Sequence, residues 1–106
     1  MSIQEIHKEA VAAAEAAETA FVKNFGEPFY CGFAWVTARV SRTNSAEAKE
    51  LMSVGFQKDW EPKKLCLWNP SGNPTQSMDI KEVGARAYAD VLRKYGYNVR
   101  VGTRAD

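Results

Sequence analysis

The chain has 106 residues, of which 45% are hydrophobic and 25% are charged. These fractions are close to average globular usage and argue against a disordered or fibrous chain. Fourteen basic and thirteen acidic residues give a net charge of +1, which argues against a protein that binds nucleic acid through bulk charge, although it leaves room for a local basic patch. The first thirty residues contain no signal-peptide core or membrane span. We therefore expect one soluble, intracellular domain over residues 1–106, with no membrane partner.

The first predicted element is a helix over residues 3–24. Ser2 and Glu5 form a capping box at its start, and Gly26 and Pro28 stop it at the other end. Its apolar residues recur at steps of three and four and form a narrow, alanine-rich stripe. The stripe consists of Ile3, Ile6, Ala10, Ala13, Ala17 and Phe21. Such small residues predict that a neighbouring element approaches this helix closely.

Residues 29–41 carry the strongest strand signal in the chain. Alternate residues form a small, smooth face and an aromatic face that becomes polar towards its end. The small face has Gly32, Ala34, Val36, Ala38 and Val40; the other has Cys31, Phe33, Trp35, Thr37 and Arg39. Because both faces are apolar in the first half, the pattern predicts a central strand that is covered on both sides.

The middle of the chain predicts a short helix and one or two strands. Asn44-Ser45-Ala46-Glu47 offers a second capping box, and Gly55 can end the helix that follows. Residues 64–68 (KLCLW) predict a strand. Residues 56–60 (FQKDW) are either its hairpin partner or an irregular approach to it.

The clearest helical pattern follows Ser77, and a last strand is predicted at 97–101. The apolar stripe of this helix consists of Ile80, Val83, Gly84, Ala87, Tyr88, Val91, Leu92 and Tyr95. Glu82 with Arg86, and Arg86 with Asp90, are candidate charge pairs. Gly84 on the buried stripe predicts a close approach to the sheet.

The order of elements is therefore α-β-α-(β)-β-α-β. It predicts an α+β fold, a two-layer sandwich in which helices pack mainly on one face of a small three- to four-stranded sheet.

The residues that usually carry chemistry are scarce. His7 is the only histidine and lies in an Ala- and Glu-rich helix, so no Ser/His/Asp or Cys/His constellation can be built without it. Cys31 and Cys66 lie in apolar runs and are interpreted as reduced, buried thiols. One histidine and two cysteines are too few for a structural zinc site. We therefore predict no catalytic residues, no metal and no cofactor, and we favour a non-enzymatic protein.

Residues 69–79 form a polar segment that is longer than a link between a strand and a helix requires. It lies before a helix N-terminus, where anions are favoured, but it matches neither the Walker pattern nor GxGxxG. It is either a ligand-binding loop or a structural turn followed by a capped helix start. As a binding site it comprises Trp68, Asn69, Ser71, Gly72, Thr75, Gln76, Ser77, Asp79 and Lys81, with the C-terminal Arg104.

The second face of the sheet is an alternative site. If the helices take one face, the other exposes aromatic and basic residues in alternation, a pattern typical of a stacking platform for single-stranded nucleic acid. The same aromatics could instead be buried in the core or in a homodimer. The residues concerned are Phe33, Trp35, Arg39 and Arg100, together with Lys64, Cys66 and Trp68.

Three motifs, CGFAWV at 31–36, WNPSG…TQSMDIKEVGARAYADVL at 68–92 and the terminal RAD, give the chain a family resemblance. It resembles a family of small, uncharacterised proteins of tailed bacteriophages. The resemblance spans most of the chain, is weakest across 41–64 and carries no established activity. It implies a phage protein in the cytoplasm of the host cell. The residues it marks for testing are Trp35, Trp68, Asn69, Ser71, Gly72, Thr75, Gln76, Ser77, Asp79 and Arg104.

The leading expectation is a non-enzymatic accessory protein of phage infection that binds a host or phage macromolecule, most simply another protein, as a homodimer. The alternative is a single-stranded nucleic-acid-binding protein that uses the aromatic and basic sheet face. A third, weaker hypothesis is a small hydrolase or nuclease, which would need a divalent metal or a perturbed carboxylate; a buried acidic pair near residues 69–79 would support it.

Overall fold

A computed structural model describes residues 2–26, 32–73 and 77–105, and within them the predicted α+β class is confirmed. The helices are α1 (Ile3–Phe25), α2 (Ala46–Ser53) and α3 (Met78–Lys94). The strands are β1 (Gly32–Arg39), β2 (Gln57–Lys58), β3 (Lys64–Trp68) and β4 (Val99–Ala105). The four described strands form one antiparallel sheet in the order β2-β3-β1-β4. Residues 57–58 therefore do form a hairpin with β3, although a short one.

Each helix begins at a serine whose hydroxyl oxygen accepts a hydrogen bond from the backbone N–H three residues later. Ser2 caps α1, Ser45 caps α2 and Ser77 caps α3. The cap of α2 is thus one residue later than the box that starts at Asn44. These bonds satisfy N–H groups that have no partner inside the helix, and so they fix where each helix starts.

β1 is central, as predicted, but the described residues cover only one of its faces. Ala34, Val36 and Ala38 are buried against the helices. On the opposite face, Phe33 and Arg39 are exposed, while Trp35 and Thr37 are half-buried. The prediction that both faces are covered is therefore wrong for this part of the chain. The three helices share one side of the sheet, so aromatic character on the other side does not signal a second layer.

α1 runs antiparallel to α3, with polar contacts along the pair. Near one end, the carboxylate of Glu9 accepts hydrogen bonds from Lys94 Nζ at 2.5 Å and from Tyr95 Oη at 2.7 Å. Near the start of α1, His7 Nδ1 lies 2.6 Å from the hydroxyl of Tyr88, which is buried in the middle of α3. The single histidine thus serves as the polar partner of a core tyrosine.

At the other end of this helix pair, Glu18 lies on the buried stripe of α1. The stripe consists of Ile3, Ile6, Ala10, Ala14 and Glu18, and so drifts away from the predicted Ala13 and Ala17. Gly84 of α3 faces Glu18, and a Cβ at position 84 would overlap the Glu18 carboxylate. The prediction that Gly84 allows close approach to the sheet is therefore wrong: the close neighbour is a side chain of α1.

One of the two predicted charge pairs on α3 is confirmed. Glu82 and Arg86 are joined at 2.6 Å. The Arg86–Asp90 pair is wrong, because Asp90 instead contacts Arg93 at 3.1 Å. Arg86 directs both Nε and Nη2 at the Glu82 carboxylate, so its guanidinium is already engaged.

Candidate functional site

The uncovered side of the sheet collects aromatic and basic residues from β1, β3 and β4, and Gln57 from β2. Four rows of cross-strand neighbours face away from the helices. The first row is Phe33 and Arg104, and the second is Gly102, Trp35 and Trp68. The third row is Arg100, Thr37, Cys66 and Gln57, and the fourth is Arg39 and Lys64. We call this set the open face. Residues far apart in sequence are brought together by strand register alone, because side chains at alternate positions share one face of a strand.

Three aromatic rings form a continuous cluster at one end of the open face. The ring centroids of Trp35 and Trp68 are 4.7 Å apart, and Phe33 meets Trp68 edge-on at 6.2 Å. Trp35 lies against Gly102 on the neighbouring strand, where any side chain would overlap its indole ring. Glycine at that position lets the indole lie flat on the sheet. Trp68 is 54% exposed and Phe33 is 42% exposed, so the cluster presents ring surface to solvent.

The arginines of the open face lack acidic partners among the described residues. Among the described residues, Arg39, Arg100 and Arg104 make no salt bridge, whereas Lys64 is joined to Glu61 at 2.7 Å. The four described strands carry five basic residues and no acidic one, while the three helices carry nine acidic and seven basic residues. Charge is thus segregated within a nearly neutral chain, and the sheet is its positive side.

Two clefts on the open face adjoin each other. The larger, about 370 Å³, is lined by the exposed Trp60 and by the Trp35–Trp68 pair, among others. The smaller, about 160 Å³, is bordered by Arg39 and Arg100. Thr37 and Lys64 line both clefts. An elongated ligand could therefore run from the aromatic cleft to the basic one without leaving the sheet.

The thiol of Cys66, on this face, is not activated as a nucleophile. Burial, with the nearby Asp59 carboxylate adding to it, raises the pKa of Cys66 to about 11. A thiol with such a pKa stays protonated at neutral pH, and the thiolate is the reactive form. Cys66 is free and half-buried, and Cys31 lies outside the described residues.

The polar loop, defined here as residues 69–73, is turned towards the helices. Ser71 Oγ donates to the Glu18 carboxylate at 2.8 Å, and Asn73 Nδ2 reaches its other oxygen at 3.5 Å. Asn69 Nδ2 donates to the carbonyl of Asn73 at 2.8 Å and so closes the loop. Glu18 is only 3% exposed, and its burial raises its pKa, an effect that the bonds from Ser71 and Asn73 oppose. The loop's polar groups thus solvate a buried carboxylate.

The remaining residues of the predicted loop site are separated from one another. Ser77 is buried at the start of α3, and Asp79 lies in its first turn. Lys81 Nζ donates to the carbonyl of Gly32 at 3.0 Å and lies 5.2 Å from the centre of the Phe33 ring. Trp68 and Arg104 belong to the open face, and Gly72 is an exposed turn residue. Thr75 and Gln76 lie outside the described residues.

The described residues offer little to other classes of function. No cluster of three or more His, Cys, Asp or Glu side chains suited to a metal occurs within 2–26, 32–73 and 77–105. In the same part of the chain, Glu18 is the only buried carboxylate, and Glu15 one turn earlier is exposed. A buried acidic pair, which would have supported the hydrolase hypothesis, is therefore not formed there. No described helix combines the length and the apolarity that crossing a membrane demands.

Comparison with known proteins adds no relative: no family model, no curated protein and no solved structure matches the chain.

Sequence reasoning assigned no role in a site to Glu18, Gln57, Asp59 and Trp60. Glu18 could have been found, since it continues the three- and four-residue steps of the stripe from Ile3, but a glutamate in an Ala/Glu-rich helix is usually exposed. The other three lie on or beside a two-residue strand. Gln57 belongs to the open face, and Asp59 and Trp60 line its larger cleft, through the pairing of Gln57 with Cys66, which no local pattern specifies.

Proposed function

We propose that the chain is a non-enzymatic binding protein whose open face binds single-stranded nucleic acid. One observation carries this proposal: exposed aromatic rings and unpaired arginines occupy the same uncovered side of the sheet. Bases stack on aromatic side chains whatever their sequence, and the phosphate backbone follows positive charge. Both requirements are met within one surface.

The charge of the face favours an anionic ligand over a second copy of the chain. In a symmetric dimer that buries the open face, the same patch meets itself. Arg39, Arg100 and Arg104 of each copy would then outnumber Asp59, the carboxylate on this surface that makes no described salt bridge, and like charges in contact are unfavourable. A polyanion avoids that repulsion.

The shape of the face favours unpaired strands over a duplex. Trp35 lies flat on the sheet against Gly102, and Trp60 is 88% exposed at the edge of the larger cleft. Flat rings accept the faces of bases, which are available only when the bases are not stacked inside a helix.

The biological setting rests on the resemblance of the CGFAWV and WNPSG…TQSMD motifs to phage proteins. We place the protein in the host cell cytoplasm as an accessory protein of phage infection. In that setting, single-stranded intermediates of either genome would be its natural ligands.

The test is a titration of a fluorescent oligothymidylate with the full chain at several salt concentrations. Binding should weaken as salt rises, because bound phosphates release counterions. Arg39→Gln or Arg100→Gln should each lower the log–log salt slope by about 0.7. Arg86→Gln removes an exposed arginine from α3 and is the matched control, with no expected change. A flat titration at low salt, or equal losses in all three variants, would contradict the proposal.

A protein partner is the second candidate, supported by the exposed rings of Phe33 and Trp68, which are typical of interface residues. It predicts recovery of a host or phage protein on immobilised chain, and loss of that protein with Trp68→Ala. The homodimer predicts a concentration-dependent mass in sedimentation that the same substitution abolishes.

A further inference from the structure

The larger cleft of the open face combines aromatic rings with hydrogen-bonding groups. The exposed Trp60 and the Trp35–Trp68 pair line it. Apart from Cys66, the other lining residues are polar or charged: Thr37, Gln57, Lys58, Asp59, Glu61 and Lys64. Such a cleft suits a flat ring that also carries hydrogen-bonding groups on its edge.

Asp59 is the unusual member of this cleft. Its Oδ1 accepts a hydrogen bond from the backbone N–H of Trp60 at 2.7 Å, and its own N–H donates to the carbonyl of Lys64 at 3.0 Å. These bonds fix the carboxylate on the hairpin. Glu61, two residues later, is paired with Lys64, but Asp59 makes no salt bridge with any described residue.

An unpaired carboxylate on a surface that binds a polyanion is unfavourable unless it contacts the ligand through donors. An ionised carboxylate only accepts hydrogen bonds, and its two oxygens can accept two parallel ones. Among the bases, guanine alone offers two adjacent donors, N1–H and N2–H, on its pairing edge. Thymine and uracil offer one N–H between two carbonyl oxygens, which the carboxylate repels.

We propose that this cleft holds one unpaired base and that Asp59 selects guanine by accepting from its N1–H and N2–H groups. The inference rests on the nucleic-acid function proposed above and adds base selectivity to it. The Gln57 amide lies across the strand pair from Cys66, on the same face, and can donate to guanine O6. The adjoining cleft between Arg39 and Arg100 then receives the neighbouring phosphate.

The experiment compares oligothymidylate with the same oligomer carrying one central guanine, adenine or cytosine, each titrated against the full chain. The guanine oligomer should bind about tenfold more tightly than oligothymidylate, the discrimination expected of one good bidentate contact. Asp59→Asn keeps the shape of the side chain and should reduce that preference to about twofold or less, because an amide presents one acceptor only. Asp90→Asn makes the same substitution on α3, away from the cleft, and should keep the preference.

The outcomes separate the two proposals. Equal binding of all four oligomers, or a guanine preference that survives in Asp59→Asn, overturns the selectivity and leaves the nucleic-acid function standing. Absence of binding to every oligomer at low salt overturns both. Thermal melting of Asp59→Asn checks that the loss is not one of folding, and Gln57→Ala, at an exposed position, supplies a second variant that should also weaken the guanine preference.

Discussion

The polar loop and the open face are both rich in hydrogen-bonding side chains, but only one of them has its partners inside the chain. Ser71 and Asn73 of the loop direct their groups at the buried Glu18. Arg39 and Arg100 of the open face have no acidic partner among the described residues. Apart from the buried Asn69 Oδ1, which has no partner among the described residues, the side-chain groups of the loop are directed into the fold and stabilise it. Unpaired cations beside exposed rings are instead available to a ligand.

The comparison also explains why net charge is a poor guide for this chain. A total of +1 argues against a nucleic-acid-binding protein only if charge is evenly spread. Here the acidic residues lie mainly on the helices, and the strands carry only basic ones. The face that a ligand meets is therefore far more positive than the average of the chain.

Among the substitutions that distinguish the open face from the polar loop, Trp60→Ala should have the largest effect on ligand affinity. Trp60 is 88% exposed, so its removal should leave the melting temperature unchanged while affinity for oligothymidylate falls about tenfold or more, through loss of base stacking. Phe25→Ala is the matched control, since Phe25 is 74% exposed but lies on α1. Fluorescence anisotropy measures both. If Phe25→Ala weakens binding as much as Trp60→Ala does, the open face has no special role.

Ser71→Ala tests the other region. Loss of a hydrogen bond to a buried charged group should lower the free energy of unfolding by about 2 kcal/mol, measured by urea denaturation. Affinity for oligothymidylate should not change. Ser41→Ala, at an exposed serine, should stay within about 0.5 kcal/mol of the unaltered chain. The reverse result, weaker binding with unchanged stability, would make the loop a ligand site after all.

Gly84→Ala should destabilise the chain by about 1 kcal/mol. The new methyl group overlaps the Glu18 carboxylate, at a cost of about 2 kcal/mol, and better helix propensity returns about 1 kcal/mol. In a Glu18→Ala background the overlap is gone, so Gly84→Ala should then stabilise. Urea denaturation of the two singles and the double gives the coupling between the sites. Additive effects would show that the two residues do not meet.

The smallest effect is a dependence on pH. Burial raises the pKa of Glu18 above its ordinary value of 4.5, so the folded chain holds this proton more tightly than the unfolded chain does. That contribution to stability is complete below 4.5 and is lost as the pH rises through the folded-state pKa. Relative to Glu18→Gln, the unaltered chain should therefore lose stability across the window just above 4.5. Urea denaturation of both chains at a series of pH values measures the difference, and a difference that grows in the opposite direction would contradict the assignment.

Much of the fold could be predicted from local signals. Serine caps and strand alternation depend on residues a few positions apart, and they located all three helices, β1 and β3. The sorting of Phe33, Trp35, Arg39 and Arg100 onto one face followed from alternation, once the small face of β1 was assigned to the core.

The site was harder to predict because it depends on partners distant in sequence. Ser71 and Asn73 look like ligand groups until Glu18 is placed beside them. Trp60 and Asp59 could not be assigned to a site before a two-residue strand was seen to bring them into the same cleft lining as Trp35. The periodicity of a helix predicts which of its positions are buried. It does not predict that a glutamate at such a position is solvated by a loop that is distant in sequence.

The contact between Glu18 and Gly84 has a consequence for evolution. Because the carboxylate occupies the space that a side chain at position 84 would need, the two positions cannot change independently. In relatives of this chain, a larger residue at position 84 should accompany a smaller one at position 18. Ser71, which donates to Glu18 in this chain, should then vary freely. Such linked substitution would identify distant members of the lineage after the aromatic motifs of the sheet have diverged.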